Sequence, residues 1–93
     1  MKKPGWQSFI TLCRHVRSDE ELQTLFDLLF TLDEQEQLQM RVELLKALLR
    51  GDKTQRVIAE DLQVSIAKIT RGSNALKTIT PKLRQYLITQ LKI

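Results

Sequence analysis

With 93 residues the chain can form one small domain, which we place at residues 1–93, but it is too short for a large core. Hydrophobic residues make up 42% of it, which excludes an intrinsically disordered protein. A short chain that is this rich in aliphatic side chains favours a dimer, because a partner can cover the apolar surface that the chain cannot bury by itself. The single Cys13 excludes an internal disulfide, and its apolar surroundings predict a small buried hydrophobe. No apolar run could span a membrane and no signal peptide follows Lys2-Lys3, so we expect a cytoplasmic protein.

The net charge of +4 is concentrated in the second half of the chain. Residues 1–49 carry six Lys or Arg and eight Asp or Glu, a net −2, whereas residues 50–93 carry nine and three, a net +6. A basic half of this kind predicts contact with phosphates, and binding that weakens as salt rises. Composition alone leaves a solvated basic surface as the simpler interpretation.

The N-terminal segment predicts one amphipathic helix. After a flexible lead at residues 2–5, apolar residues recur at every third or fourth position from Trp6 to about Val16. The only histidine, His15, has no Cys or acidic partner at metal-ligand spacing. We therefore expect it on the helix surface, and we expect no metal site.

Two further helices begin with capping boxes, in which a hydroxyl residue is followed three positions later by Glu. Ser18 opens a helix that runs to about Leu29, and Thr31 opens a longer one that Gly51 is placed to end. The longer helix carries a broad apolar stripe at Leu38, Val42, Leu45 and Leu49. Such a stripe is typical of a central helix covered on several sides.

Residues 54–77 predict two short helices joined by a tight bend, the arrangement of a DNA-binding helix-turn-helix. Hydroxyl residues stand where both helices need an N-cap, at Thr54 before Gln55 and at Ser65 before Ile66. Small Ala59 allows the two helices to approach closely, and Ile69 can fill the angle between them. The bend often uses Gly to reach a left-handed backbone, and here Gln63 must adopt it at a higher energy.

A last helix begins at Thr80, with Pro81 in the first turn, where its missing N–H is harmless. The fold class is therefore all-α, with about six helices, a helix-turn-helix and short connections.

Three segments resemble the bacterial tryptophan repressor family: Ile69-Thr70-Arg71-Gly72-Ser73-Asn74 followed by Leu76-Lys77, Leu48-Leu49-Arg50-Gly51 with Gln55-Arg56, and Leu83-Arg84-Gln85. The ungapped similarity runs from Trp6 to about Leu91, and the segment around Arg71 is the most specific. The resemblance implies an intertwined homodimer that has no cofactor and takes L-tryptophan as corepressor.

Free L-tryptophan presents a carboxylate, an ammonium and a flat indole, and an arginine offers both charge and a flat stacking surface. The resemblance implies that Arg41 and Arg71 sandwich the indole, with Arg71 near the carboxylate. On spacing alone, Arg41 would be an arginine whose stem packs beside the apolar stripe and whose head pairs with Glu or water. The other implied pocket positions are the carbonyls of Leu28 and Phe30 from the other subunit, for the ammonium, together with Thr31, Gly72 and Ala75. Gly72 leaves room for a ligand lying against the backbone, and Ala75 replaces a common Ser that helps to hold the ammonium.

The predicted DNA-contacting residues lie near the starts of both helices of the helix-turn-helix: Gln55 and Arg56 in the first, and Ile66, Ala67, Lys68, Thr70 and Arg71 in the second. Ile66 and Ala67 suit thymine methyls, whereas Lys68 and Thr70 suit bases or phosphates. Ala59 and Lys68 depart from the best-known members, which carry Lys and Thr there. We therefore expect an operator related to theirs but not identical.

The resulting hypothesis is a tryptophan-dependent transcriptional repressor of genes for tryptophan biosynthesis or uptake. Its dimer would bind a near-palindromic operator with the two reading helices about one DNA turn, ~34 Å, apart. One alternative is a ligand-independent helix-turn-helix module of the same superfamily, such as the DNA-binding domain of replication initiators. Another is a helical protein-interaction module with no DNA role. We do not expect an enzyme, because the sequence offers no nucleophile–base set, metal cluster or phosphate loop.

Overall fold

The computed structural model describes residues 3–93 as six helices joined by short connections, with no β-strand among them. The helices are α1 (Pro4–His15), α2 (Asp19–Leu29), α3 (Leu32–Arg50), α4 (Gln55–Leu62), α5 (Ile66–Leu76) and α6 (Pro81–Leu91). This order confirms the all-α prediction. The chain divides into two compact units, the first ending at Gln35 and the second running from Glu36 to Ile93. The single domain at residues 1–93 stays a prediction.

Hydroxyl side chains begin five of the helices in the described part of the chain: Ser18, Thr31, Thr54, Ser65 and Thr80. Each hydroxyl accepts a hydrogen bond from the backbone N–H three residues later, at 3.1–3.2 Å. At Thr31 the capping box is complete, because the Thr31 N–H also donates to the carboxylate of Glu34 at 2.9 Å. These bonds satisfy N–H groups that the helix itself cannot pair. They confirm the predicted helix starts.

Helix α1 begins earlier than predicted. Pro4 and Gly5 are helical, so the flexible lead is wrong for these two residues, whereas Lys2 lies outside the described ones. Proline in the first turn has a suitable φ and lacks an N–H that would be unpaired anyway. His15 is exposed as predicted, with its Nδ1 at 2.8 Å from the Thr11 carbonyl oxygen.

The first unit is held by an aromatic cluster rather than by a buried core. Neighbouring rings of Trp6, Phe9, Phe26 and Phe30 have centroids 5.4–6.5 Å apart, in tilted, stacked and edge-on arrangements. Neither α1 nor α2 contains a fully buried residue. Cys13 is only half-buried, so the prediction of a buried thiol is wrong for the single chain. The unit thus has too few buried groups to exclude water from Cys13.

The second unit has a buried core formed by Leu44, Ile58, Ala59 and Ile69. Ile69 is fully buried and Ala59 is 8% exposed, which confirms the roles predicted for them between α4 and α5. Gln63 ends α4 with φ 54° and ψ 46°, the left-handed conformation predicted for the bend. Its N–H donates to the carbonyls of Ala59 and Glu60, and this helps to offset the unfavourable backbone.

The apolar stripe of α3 is not covered within the chain. Leu38 and Val42 are 42% and 46% exposed, and of this helix only Leu44 is fully buried. The cover predicted for a central helix is therefore missing at these two positions. Within residues 3–93, every helix is too short or too polar to cross a membrane.

Candidate functional site

Helix α5 buries one side and exposes the other. Ile69 and Leu76 are buried and lie seven residues apart, hence on one face of the helix. All five predicted DNA-contacting residues of this helix are exposed: Ile66, Ala67, Lys68, Thr70 and Arg71. The face that would meet DNA is therefore accessible to solvent in the single chain.

Helix α4 exposes its first turn beside the capped end. Gln55 and Arg56 are both exposed, whereas Ile58 and Ala59 in the next turn are buried. The Thr54 hydroxyl accepts a hydrogen bond from the Val57 N–H at 3.2 Å and so fixes where the helix starts. Both predicted α4 contacts are accessible to a phosphate or to a groove.

Arg41 on α3 and Arg71 on α5 are both exposed. The only ion pair in the described part of the chain joins Lys53 to Asp61, so neither arginine is paired with a carboxylate. For Arg41 this rules out, within the chain, the glutamate partner that spacing alone left open. Two unpaired guanidinium groups are suited to an anionic or flat aromatic ligand.

Gly72 is the point at which α5 meets α3. A Cβ built on Gly72 would lie 2.5 Å from Leu44 Cδ2 and 3.4 Å from Leu48 Cδ1. The space is thus taken by leucine side chains of α3, a packing role that the sequence reasoning missed. No local pattern signals it, because the pairing of a glycine with a leucine on another helix depends on tertiary structure.

The same contact relates the two arginines. Arg41 lies one turn before Leu44 on the same face of α3, and Arg71 directly precedes Gly72. Ala75 follows Arg71 by four residues and is exposed beside it on α5. Arg41 and Arg71 are therefore attached to α3 and α5 close to the α3–α5 contact, which we call the Leu44–Gly72 junction.

The predicted ammonium ligands lie in the first unit, around the bend between α2 and α3. Leu28 is 81% exposed, and Phe30 ends α2 by donating its N–H to the Phe26 carbonyl at 2.8 Å. No backbone N–H of residues 3–93 outside the regular helical pattern donates to the carbonyl oxygens of Leu28 or Phe30. The Thr31 hydroxyl, by contrast, is engaged as the cap of α3. The two carbonyls remain suitable acceptors for a cationic group.

Two further polar contacts fix the helix-turn-helix, and the sequence reasoning assigned neither. Arg84 Nη2 on α6 donates to the Leu76 carbonyl at the end of α5, at 2.8 Å. Lys53 Nζ, ahead of α4, donates to Asp61 Oδ2 on α4 at 2.8 Å. This hydrogen bond and then the charge of Asp61 raise the pKa of Lys53 above its usual value of 10.5. The only sequence signal for Arg84 was its place in the segment Leu83-Arg84-Gln85.

Comparison with known proteins covers the whole of this site. A family model described as Trp repressor protein matches residues 4–91. A Trp operon repressor homolog of Chlamydia trachomatis serovar D is 45% identical over 86 residues, which cover 92% of each chain. Homologs of the same description from Photobacterium profundum and Aliivibrio salmonicida are 39% and 37% identical, over 94% and 99% of this chain and 84% and 85% of theirs. The chain therefore belongs to the Trp repressor family and is a transcriptional repressor.

Proposed function

We propose that this repressor depends on tryptophan: its homodimer binds a near-palindromic operator when L-tryptophan is bound, and so represses genes for tryptophan biosynthesis or uptake. The observation that carries the proposal is the Leu44–Gly72 junction, flanked by the exposed, unpaired Arg41 and Arg71. A ligand that engages both arginines bridges α3 and α5. It thereby sets the pose of the helix that carries the predicted base contacts.

The chemistry of the ligand matches these groups. A guanidinium stacks on an indole face, and a second one pairs with a carboxylate through two parallel hydrogen bonds. In this arrangement Arg41 and Arg71 enclose the ring, and Arg71 takes the carboxylate. Ala75 lies beside Arg71 without a hydroxyl, so the ammonium depends more on carbonyl acceptors.

The unpaired carbonyls of Leu28 and Phe30 supply those acceptors from the partner subunit. The exposed apolar surface supports such an assembly, because Leu28 and Leu32 are 81% and 85% exposed in the single chain. Leu38 and Val42 on α3 are exposed as well, at 42% and 46%. Side chains of this kind are normally covered, and a second copy covers them symmetrically.

DNA binding is supported by the basic half of the chain and by the exposed side of α5. The net charge of +6 in residues 50–93 falls on the unit that contains the helix-turn-helix. Exposed Lys68, Thr70 and Arg71 offer donors to phosphates and base edges, and exposed Ile66 offers an apolar contact to thymine methyls. A two-fold dimer then requires two half-sites about one DNA turn apart.

The switch needs only a modest energy. Tryptophan activates the repressor if it binds the DNA-competent pose better than the other poses of α5. A roughly 100-fold preference shifts the equilibrium by about 2.7 kcal/mol. The bridging position of the two arginines makes such a preference possible, because a changed α3–α5 spacing breaks at least one of the contacts.

A ligand-independent DNA-binding module of the same superfamily is the competing function. The exposed face of α5 and the basic half serve that function equally well. Exposed, unpaired Arg41 favours the ligand-dependent function, because it lies on α3, outside the helix-turn-helix, whereas Arg71 would serve DNA contact in either case.

Calorimetry with L-tryptophan tests the proposal. We expect saturable binding, one L-tryptophan per chain, which the variants Arg41→Met and Arg71→Met each weaken about tenfold or more. Methionine keeps much of the apolar stem, whereas a hydrogen bond to a charged group contributes about 1.5–3 kcal/mol. Arg50→Met removes the same charge from an exposed position on α3 and serves as control. Absence of binding to the wild-type protein, or equal binding by all four proteins, would reject the tryptophan site.

A further inference from the structure

The carbonyls of the last three residues of α5 all accept hydrogen bonds. The Asn74 carbonyl accepts from the Lys77 N–H at 3.2 Å, and the Ala75 carbonyl accepts from the N–H and hydroxyl of Thr78 at 3.2 and 2.9 Å. The Leu76 carbonyl accepts from Arg84 Nη2 at 2.8 Å. Bonds from the turn that follows are usual at a helix end, whereas a side-chain donor from another helix is an additional support.

Only the Arg84 donor comes from another helix. Lys77 and Thr78 belong to the turn that directly follows α5, whereas Arg84 lies on α6. The backbone of Arg84 is itself fixed by the cap of α6, since its N–H donates to the Thr80 carbonyl at 3.0 Å. The guanidinium of Arg84 places a positive charge at the negative end of the α5 dipole, which strengthens the bond.

The held end of α5 is the end nearest the predicted ligand contacts. Gly72 and Ala75 lie within about one turn of Leu76, and Leu76 itself is buried. The exposed residues at the start of the helix lie at the far end, since 11 residues span roughly 16 Å. A tilt of about 10° at the held end therefore moves the reading end by roughly 3 Å.

We propose that Arg84 is a positioning residue for DNA recognition: by clamping the Leu76 carbonyl it fixes the direction of α5 from α6. The clamp rests on the proposed function, because it matters for recognition only if α5 reads DNA. The clamp acts whether or not L-tryptophan is bound. It fixes the C-terminal end of α5, so that bound L-tryptophan changes the position of the N-terminal end, which carries the predicted base contacts.

The test compares Arg84→Met, Arg84→Lys and the control Lys82→Met in the full-length protein. Lys82 is exposed on the same helix, and its loss removes the same charge. The probe is the duplex that the wild-type protein selects from a randomised library at saturating L-tryptophan, and affinity is measured by fluorescence anisotropy over a range of salt concentrations. Amide hydrogen exchange of residues 73–77 reports on the clamp directly, at a temperature where all variants are folded.

We expect Arg84→Met to weaken DNA binding about tenfold and to speed amide exchange at residues 73–77. The salt slope, which is the slope of log affinity against log salt concentration, should equal that of Lys82→Met. Arg84→Lys, which keeps a cationic donor, should recover part of the affinity. If Arg84→Met matches Lys82→Met in affinity and exchange, the positioning role is rejected. If instead its salt slope falls by about one with exchange unchanged, Arg84 contacts a phosphate and the clamp is also rejected. A wild-type protein that selects no duplex would overturn the proposed function itself, and the exchange readout would separate that failure from failure of the clamp.

Discussion

Gly72 decides how closely α5 can lie against α3. A methyl group there would meet Leu44 Cδ2 at 2.5 Å, and Leu44 is only 5% exposed and has little room to move. We therefore expect Gly72→Ala to destabilise the protein by about 1–3 kcal/mol, because overpacking forces neighbours off their preferred conformations. Urea unfolding followed by circular dichroism measures the change.

Gly5 provides the matched control, because a Cβ there meets nothing within 4 Å. Gly5→Ala should be neutral or stabilise α1 by up to about 1 kcal/mol, since alanine favours helix. In the double variant Gly72→Ala, Leu44→Ala the methyl group gains space, so the combined loss should be smaller than the sum of the single losses. Equal stability of the two glycine variants would contradict a tight Leu44–Gly72 junction.

The residues that could be predicted from the sequence are those that act locally. A capping hydroxyl and its N–H lie three positions apart, so Thr31 and Ser65 are visible in the pattern itself. The contact of Gly72 with Leu44 and the bond from Arg84 to Leu76 each join different helices. Neither has a local spacing, which is why the site could be predicted as a set of residues but not as a packed junction.

The bend of the helix-turn-helix carries a measurable strain at Gln63. Its φ of 54° is left-handed, a conformation that a residue with a Cβ adopts at a higher energy than glycine. Gln63→Gly should therefore stabilise the protein by roughly 1 kcal/mol, detected as a higher thermal midpoint. Gln63→Ala keeps the Cβ and should bring no such gain. A lower midpoint for the glycine variant would show that the Gln63 side chain holds the bend.

At the level of whole elements, sequence periodicity and caps located every described helix to within about two residues, which is the usual precision of helix boundaries. The largest difference was the early start of α1 at Pro4, where a proline could be either lead or first turn. Periodicity could not say which apolar stripes are covered. The stripe of α3 looked like core, yet Leu38 and Val42 face outward in the single chain.

These exposed side chains lead to a prediction about the whole molecule. We expect the protein to sediment as a dimer of twice the 10.9 kDa chain mass. Val42→Glu should shift it towards monomer, because a charge cannot be buried in an apolar interface without a large loss of hydration energy. Gln39→Glu adds the same charge at an exposed polar position of α3 and should leave the dimer intact. A wild-type monomer at micromolar concentration would contradict the proposed shared ligand site.

The positive charge of the molecule is concentrated in the half of the chain that contains the helix-turn-helix. Residues up to position 49 have a net charge of −2, whereas the helix-turn-helix lies in the half with +6. That half should attract DNA of any sequence, and this attraction should weaken steeply as salt rises. Specific recognition requires more, namely a fixed pose of α5 relative to α3.

The most direct test is a titration of DNA affinity with and without L-tryptophan at constant salt. It uses the duplex selected by the wild-type protein, with a scrambled duplex of the same length and composition to measure the electrostatic background. A switch through the two arginines predicts that L-tryptophan tightens binding to the selected duplex on the order of 100-fold and leaves the scrambled duplex almost unchanged. Equal affinities for the selected duplex in the presence and absence of L-tryptophan would contradict it.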